Sequence, residues 1–224
     1  MPILQGTVGE QSNIGLGNLL NANFRLGPQA DLIVSELHGK YFELCRNNRV
    51  FSDGGGINAL SANTITLTAT TTPILGVWNK GGSPNICVPL FAILQIHTVA
   101  GAAVDPGAFV WATSLGNNAI STGRNPINRK TQVAGGSQCA GMYFTALTAI
   151  TNNLVVRDSS MFGGLSTAMP ATAVCMFVPG QMHEFFGCDW LPAGGVLALL
   201  NTISSTTVSV SGTLVWAEVP AGNM

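Results

Sequence analysis

The sequence has few charged residues. Lys, Arg, Asp and Glu make up 8% of its 224 residues, against about 25% in an ordinary soluble domain. Nine basic and ten acidic side chains leave a net charge of −1, so the chain has little charge to attract nucleic acid or acidic lipid. We therefore expect neither nucleic acid nor a membrane as a partner. Weak charge repulsion also suits a chain that packs against other protein chains.

Recognisable catalytic motifs are also lacking. The patterns HExxH, GxSxG, GxxxxGK[ST] and GxGxxG do not occur, and each of them marks a specific chemistry. The histidines, His38, His97 and His183, are far apart in the sequence. Glu184 follows His183 directly, but neighbours on a strand point to opposite faces and do not form a dyad. We therefore predict no catalytic residues and no cofactor, although a metal-dependent jelly-roll enzyme or a glycan hydrolase stays an alternative.

The five cysteines show neither a zinc pattern nor a complete disulfide framework. Cys45, Cys87, Cys139, Cys175 and Cys188 include no CxxC pair and are odd in number. We interpret them as buried free thiols that act as small hydrophobic side chains.

Metal ligands are likewise sparse. The stretch 53–56, Asp53 followed by three glycines, could hold a cation in an irregular loop, but it lacks further acids at EF-hand spacing. We therefore predict no metal site.

Long apolar runs are absent. The first residues, MPILQGTVGEQ, lack the charged start and apolar centre of a signal peptide. The longest apolar stretch, residues 88–96, is shorter than the ~18 residues that a membrane helix requires. We expect the protein to be made and to fold in a cytoplasm.

The N-terminal part of the chain differs from the rest. Residues 1–30 carry Gly and Asn every few positions without a steady period, which indicates an extended arm. Residues 31–47 are the best helix candidate, with Asp31 as the N-cap and an apolar stripe at 3.6-residue spacing. We predict an arm and a short helix over residues 1–47.

From residue 48 onward the apolar pattern has a period of two, which is typical of strands. Short segments of this kind are bounded by Gly, Pro or Asn. They are 63–70, 74–79, 86–99, 108–113, 142–147, 154–157, 173–178, 182–186, 196–201 and 206–216. We predict an all-β fold, a single β-sandwich or jelly-roll domain of about eight to ten strands over residues 48–224.

The C-terminal tract 190–220 contains one acid, Glu218, no base and no histidine. Its last strand alternates apolar residues, including Leu214 and Trp216, with residues such as Ser209 and Thr213. One face of such a strand meets the core. We interpret the tract as a wall of the sandwich and not as a site.

The long polar connection 114–141 holds the densest group of basic residues, Arg124, Arg129 and Lys130. Three charges are too few for a nucleic-acid footprint. The segment is either an ordinary solvated loop or a contact arm for an acidic protein surface.

Four tryptophans, Trp78, Trp111, Trp190 and Trp216, lie in or beside predicted strands. Packing in the core or in a subunit interface is expected, with carbohydrate stacking as the alternative.

Two segments resemble a known group of proteins. Residues 37–51 (LHGKYFELCRNNRVF), followed by a glycine-rich turn, and the C-terminal motifs WLPAGGVLAL and VSGTLVWAEVP are similar to small virion proteins of tailed phages. This group includes head cement or decoration proteins with a β-sandwich or jelly-roll body.

The resemblance implies a structural virion protein on the capsid exterior. Its expected partners are the major capsid protein and further copies of itself, as a homotrimer or homodimer, and it implies no catalytic residues. Candidate contacts to the capsid or to other subunits are Arg124, Arg129 and Lys130, together with Phe24 and Arg25 of the arm. The alternative is a tail-fibre or receptor-binding module that recognises a glycan through Trp78, Trp111 and Trp190.

Overall fold

The structure is a computed structural model of the chain. It describes residues 5–7, 21–23, 41–59, 73–98, 109–116, 118, 120, 123–143, 155–159, 177–186, 189–201 and 208–221. The chain divides into two compact units, Met1–Phe42 and Glu43–Met224.

The first unit contains two short strands. β1 (Gln5–Thr7) pairs antiparallel with β2 (Asn21–Asn23), and both lie in the predicted arm. A short helix, α1 (Phe42–Arg46), follows at the boundary between the units. It is the C-terminal end of the predicted helix, whose residues 31–40 lie outside the described residues. No described helix reaches the length and apolar character needed to cross a membrane.

The described residues of the second unit form two five-stranded antiparallel sheets, which confirms the prediction of an all-β sandwich. The strands are β3 (Val50–Ala59), β4 (Leu75–Asn79), β5 (Asn85–Thr98), β6 (Phe109–Ser114), β7 (Ile127–Asn128), β8 (Cys139–Gly141), β9 (Val155–Ser159), β10 (Phe177–Glu184), β11 (Val196–Asn201) and β12 (Val208–Pro220). Sheet 1 has the order β10-β5-β12-β3-β7, and sheet 2 has the order β8-β4-β11-β6-β9.

The core lies between the two sheets. From sheet 1, β12 contributes Leu214 and Trp216, and from sheet 2, β11 contributes Leu197 and Leu199 together with Trp111 of β6; all of these side chains are buried. The inward face of β12 is the one that the alternation predicts. Burial of such large apolar side chains is the main favourable contribution to folding.

The central strand of sheet 2, β11, is buried on both faces. Val196, Ala198 and Leu200, which alternate with the core residues of β11, pack in a second cluster with Ile120 and Met142. A strand covered on both faces is a continuous apolar run and not an alternating one, and this explains the sequence VLALLN of β11.

Six predicted strands, which became β4, β5, β6, β9, β11 and β12, are confirmed with shifts of a few residues at their ends. The predicted strand 63–70 lies outside the described residues. The segment predicted as 142–147 begins where β8 ends, and its residues 144–147 are also outside them.

One prediction divided a strand that is continuous. Segments 173–178 and 182–186 were predicted as two strands, because Pro179 and Gly180 indicate a turn. β10 runs through both residues at the edge of sheet 1, and its register against β5 shifts between Val178 and Gln181. A bulge on an edge strand tolerates a proline, since the missing N–H breaks no ladder there.

The glycine-rich stretch after Asp53 is a second correction. It was predicted as a turn or an irregular loop, but it lies inside β3, hydrogen-bonded to β12. A Cβ atom on Gly55 would lie 2.4 Å from Cε1 of Tyr143, so the tyrosine ring occupies the space of a side chain. The glycines therefore permit close packing on a strand and do not form a turn.

Candidate functional site

The polar connection 114–141 folds into a hairpin at its centre, which we call the 126–135 hairpin. The Asn128 N–H donates to the Val133 carbonyl at 3.0 Å, and the Gly135 N–H donates to the Pro126 carbonyl at 2.9 Å. At the tip, the Asn128 side-chain oxygen accepts hydrogen bonds from the N–H groups of Lys130 and Thr131. An Asn side chain that bonds backbone two and three residues ahead stabilises such a turn.

The tip of this hairpin is exposed and carries a mixed surface. Arg129 and Lys130 are exposed, and Val133 (63%) and Ile127 (48%) expose aliphatic side chains beside them. No acidic residue occurs between positions 114 and 141. The surface therefore combines positive charge with apolar area, a combination typical of protein interfaces.

Backbone contacts hold the hairpin against sheet 1. Ile127 and Asn128 form β7, which pairs with Ser52 and Phe51 of β3. The Asn128 side-chain amide donates to the Asn48 carbonyl at 3.0 Å, and the Arg129 N–H donates to the Val50 carbonyl at 2.9 Å.

The hairpin also contacts the end of α1. The Lys130 Nζ donates to the Arg46 carbonyl at 2.8 Å. Together with the β3 contacts, this bond fixes the orientation of the tip before any partner binds.

A buried carboxylate fixes the chain on the N-terminal side of the hairpin. Arg124 Nε lies 3.6 Å from Oδ1 of Asp53, with the arginine side chain 45% exposed and the aspartate 6% exposed. The guanidinium also lies over the Tyr143 ring, 5.5 Å from its centroid, and the Tyr143 N–H donates to Asp53 Oδ2 at 3.2 Å. Asp53 belongs to sheet 1, so this group ties the 114–141 connection to the opposite side of the core.

Burial dominates the titration of this group. Desolvation raises the pKa of the Asp53 carboxyl, against the smaller lowering effects of the Arg124 charge and of hydrogen bonds from the Gly54 and Tyr143 N–H groups. The arginine only partly offsets the cost of burying the negative charge.

A second buried carboxylate fixes the chain on the C-terminal side. Glu218 of β12 accepts hydrogen bonds from the Gln138 N–H at 2.9 Å and the Cys139 N–H at 3.2 Å. The Ser137 hydroxyl and the Asn85 side-chain amide donate to the same carboxylate. The two ends of the hairpin segment are thus each held by an acid from sheet 1.

The candidate contact residues are distributed unevenly. Arg129 and Lys130 lie together at the tip, whereas Arg124 lies at the base and is paired with Asp53. Phe24 and Arg25 lie outside the described residues. Asp53, considered above as a cation ligand, instead faces a guanidinium. Among the described residues, no three His, Cys, Asp or Glu side chains group as metal ligands.

The tryptophans do not form one surface. Trp111 and Trp216 are buried in the core. Trp78 packs on the outer cluster of sheet 2 and donates its Nε1–H to the Asn118 carbonyl at 2.9 Å. Trp190, at 51%, is exposed.

The histidine of β10 faces the interior. The His183 ring contacts those of Trp111 and Phe185, with centroid distances of 6.0 and 4.7 Å. This position agrees with a packing role, and Glu184 occupies the next position along the strand.

Neither Asp53 nor Glu218 was predicted as an anchor of the hairpin. For Glu218, the available signal was a lone acid in an apolar strand, because a carboxylate on the inward face of a strand needs buried donors. The backbone donors of Glu218 lie about eighty positions away in the sequence, so their identity required the structure.

The chain was compared with known protein families, curated proteins and solved structures, and none of the three comparisons found a match. The class of protein is therefore defined by the fold, an antiparallel β-sandwich.

Asp53→Asn should change how stability depends on pH. Because the folded pKa lies above the ordinary value of about 3.9, the folded state binds this proton more tightly than the unfolded chain. The stabilisation that comes from this tighter proton binding by Asp53 is complete below the unfolded-state pKa and is lost as the pH rises through the folded pKa. Urea midpoints measured from pH 4 to pH 8 should therefore fall for the native protein relative to Asp53→Asn.

Asp189→Asn, which keeps Asp53, is the matched control and should retain the native trend. A constant difference between the native protein and Asp53→Asn over the whole range would contradict the prediction.

Glu218→Gln should destabilise the protein by about 1–3 kcal/mol, because one acceptor oxygen is replaced by a donor facing buried N–H groups. Urea unfolding measures the loss, and hydrogen exchange at the Gln138 and Cys139 amides should accelerate. Glu184→Gln, at a half-buried position of edge strand β10, should cost less than about 1 kcal/mol. Equal losses in the two variants would show that Glu218 has no special role.

Proposed function

We propose that this chain is a structural virion protein, a cement or decoration subunit of a phage head that binds the lattice of the major capsid protein and stabilises the shell. The observation that carries the proposal is the 126–135 hairpin, an exposed, positively charged tip held in place on a sandwich that has little other charge. The resemblance of residues 37–51 and of the two C-terminal motifs to such proteins supports the same function.

A contact surface that is already positioned suits repeated binding. The hairpin is held at its base by Asp53 and Glu218 and at its tip by Asn48, Val50 and Arg46. Because its backbone is fixed before binding, little conformational entropy is lost on contact, and a modest interface gives useful affinity. Cement proteins bind many identical sites, so the small loss of conformational entropy benefits the binding of every copy.

The charge of the tip indicates the chemistry of the partner. Arg129 and Lys130 together provide two positive charges, while Arg124 is already opposed by Asp53. A surface patch of Asp or Glu side chains on the capsid lattice would complement the tip, and Ile127 and Val133 would contribute apolar contact. The protein is further proposed to act as a homotrimer or homodimer, since lattice proteins follow the local symmetry of the shell.

A glycan-recognition module on a tail fibre has less support. Trp111, one of the three tryptophans that it would use, is buried between the sheets. Trp78 is also partly buried, which leaves Trp190 as the exposed ring of the set.

The copy number of this chain in purified particles from its source tests the proposed function. Quantitative mass spectrometry with isotope-labelled peptides should give copies on the order of hundreds per particle, because a lattice repeats its subunits. A handful of copies would instead place the protein in the tail and favour receptor binding. Its absence from the particles would contradict both functions.

The double variant Arg129→Glu/Lys130→Glu tests the hairpin itself. Its co-sedimentation with capsid shells should weaken by about tenfold or more at low salt, with a smaller difference at high salt, because the interaction is electrostatic and screened by ions. Lys80→Glu, a charge reversal in the separate turn that begins at Lys80, should bind like the native protein.

Both variants should be folded, since the tip residues are exposed. Thermal unfolding of each variant checks this expectation. If the folded double variant binds shells with native affinity, the hairpin is not the contact surface.

A further inference from the structure

Two buried cysteines approach each other from facing sheets. Cys87 belongs to β5 of sheet 1, and Cys139 belongs to β8 of sheet 2. Both are fully buried and both are free thiols. Both side chains belong to the same buried core cluster between the sheets. The two residues thus lie on opposite sheets, with Cys139 at the C-terminal base of the 126–135 hairpin.

Glu218 lies next to both cysteines. In the antiparallel pairing of β12 with β5, Glu218 lies directly opposite Cys87, and directly opposed residues project to the same face of a sheet. The same carboxylate accepts the Cys139 N–H at 3.2 Å. Glu218 is therefore adjacent to Cys87 across the sheet and hydrogen-bonded to the backbone of Cys139.

The sheets are unusually close at this point. A Cβ atom on Gly141 would lie 2.3 Å from the Cβ of Asp53, so the β8 backbone approaches sheet 1 much more closely than the ~10 Å that separates packed sheets. Cys139 lies two residues before Gly141 and therefore projects from the same face of β8. A short bridge between the sheets requires this proximity, because the Cα atoms of a disulfide lie about 4.4–6.8 Å apart.

The remaining contacts of the pair restrict its motion. Cys87 exchanges two backbone hydrogen bonds with Leu191, at 3.0 and 2.8 Å. The Cys139 thiol also lies 3.6 Å from the Asn79 side-chain oxygen, to which it donates. Asn79 in turn donates to the Leu191 carbonyl at 3.0 Å, so both cysteines are held by one connected set of hydrogen bonds.

We propose that Cys87 and Cys139 form a disulfide that joins the two sheets when the chain folds in the presence of a small-molecule disulfide. One thiolate attacks the oxidant and forms a mixed disulfide, which releases the first oxidant thiol. The second cysteine attacks the mixed disulfide, closes the Cys87–Cys139 bond and releases the second oxidant thiol. The cysteines lose two protons and two electrons, and the electrons reduce the oxidant.

The folded protein protects the reduced pair. Burial, followed by the neighbouring Cys87 thiol and the Glu218 carboxylate, raises the pKa of the Cys139 thiol. Thiolate is the attacking species, so oxidation is slow once the sandwich has closed. The bond is expected to form during folding or opening, and a chain folded in a reducing solution keeps both thiols free.

Refolding followed by peptide mapping tests the proposal. The full chain is unfolded in guanidinium, refolded in a buffer of oxidised and reduced glutathione, and alkylated with iodoacetamide. Trypsin then separates residues 81–124, whose one cysteine is Cys87, from residues 131–157, whose one cysteine is Cys139. The expected main product is these two peptides joined, and dithiothreitol should separate them.

The bond should also raise the thermal midpoint of unfolding by about 5–10 °C over the reduced protein, since it closes a long loop of the unfolded chain. The triple variant Cys45→Ser/Cys175→Ser/Cys188→Ser, which retains only this pair, should behave in the same way. Cys139→Ala should show neither the joined peptides nor the rise.

Recovery of both peptides in alkylated form after oxidative refolding would overturn the proposal. Linkage of either peptide to one bearing Cys45, Cys175 or Cys188 as the main product would overturn it as well. Peptide mapping of the refolded native chain tests whether Cys87 and Cys139 are bonded, even if the triple variant does not refold. None of these outcomes depends on the protein being part of a virion.

Discussion

Two carboxylates buried inside a nearly uncharged sandwich determine how its exposed surface is arranged. Asp53 and Glu218 project from adjacent strands of sheet 1 toward residues of the 114–141 connection. Each is costly to bury, and each is compensated by donors that the connection supplies. The connection cannot move away without leaving a carboxylate without its donors, so the position of the 126–135 hairpin follows from the core.

The two acids differ in how completely they are compensated. Glu218 accepts hydrogen bonds from two backbone N–H groups, a hydroxyl and an amide, whereas Asp53 faces a half-exposed guanidinium at 3.6 Å. Desolvation raises the pKa of the Asp53 carboxyl, because its partners offset only part of the cost of burying its charge. On the N-terminal side of the hairpin, the stabilisation that arises from the raised pKa of Asp53 is therefore lost as the pH rises through that pKa.

The fold class could be predicted from the sequence because it depends on local periodicity. Val210 and Leu214 share one face of β12, while Ser209, Ser211 and Thr213 lie on the other, and this alternation is a direct consequence of strand geometry. β3 was not predicted, because Gly54 and Gly55 indicate a turn when taken alone. Gly55 packs against the ring of Tyr143, and Gly54 lies against Gly212 and Thr213 of β12; all three partners are far away in the sequence.

The candidate site was predictable only in part. Arg129 and Lys130 stand out by composition, since charged residues are rare in this chain. The pairing of Arg124 with Asp53 and the donors of Glu218 are contacts between distant segments, and no local pattern encodes them. The tract 190–220, interpreted from the sequence as purely structural, therefore contains Glu218, which binds the backbone of the 114–141 connection inside the sandwich.

The edges of the two sheets have a further consequence. Among the described strands, β7 has two residues and β8 has three, while the pairings of β9 and β10 are interrupted by register shifts. An edge strand with a long regular row of unpaired backbone groups invites another chain to extend the sheet, and a nearly uncharged protein has little repulsion to oppose such aggregation. Short and bulged edges remove that template. Association between copies of the chain through these described edges is therefore directed to side-chain contacts and not to growth of the sheets.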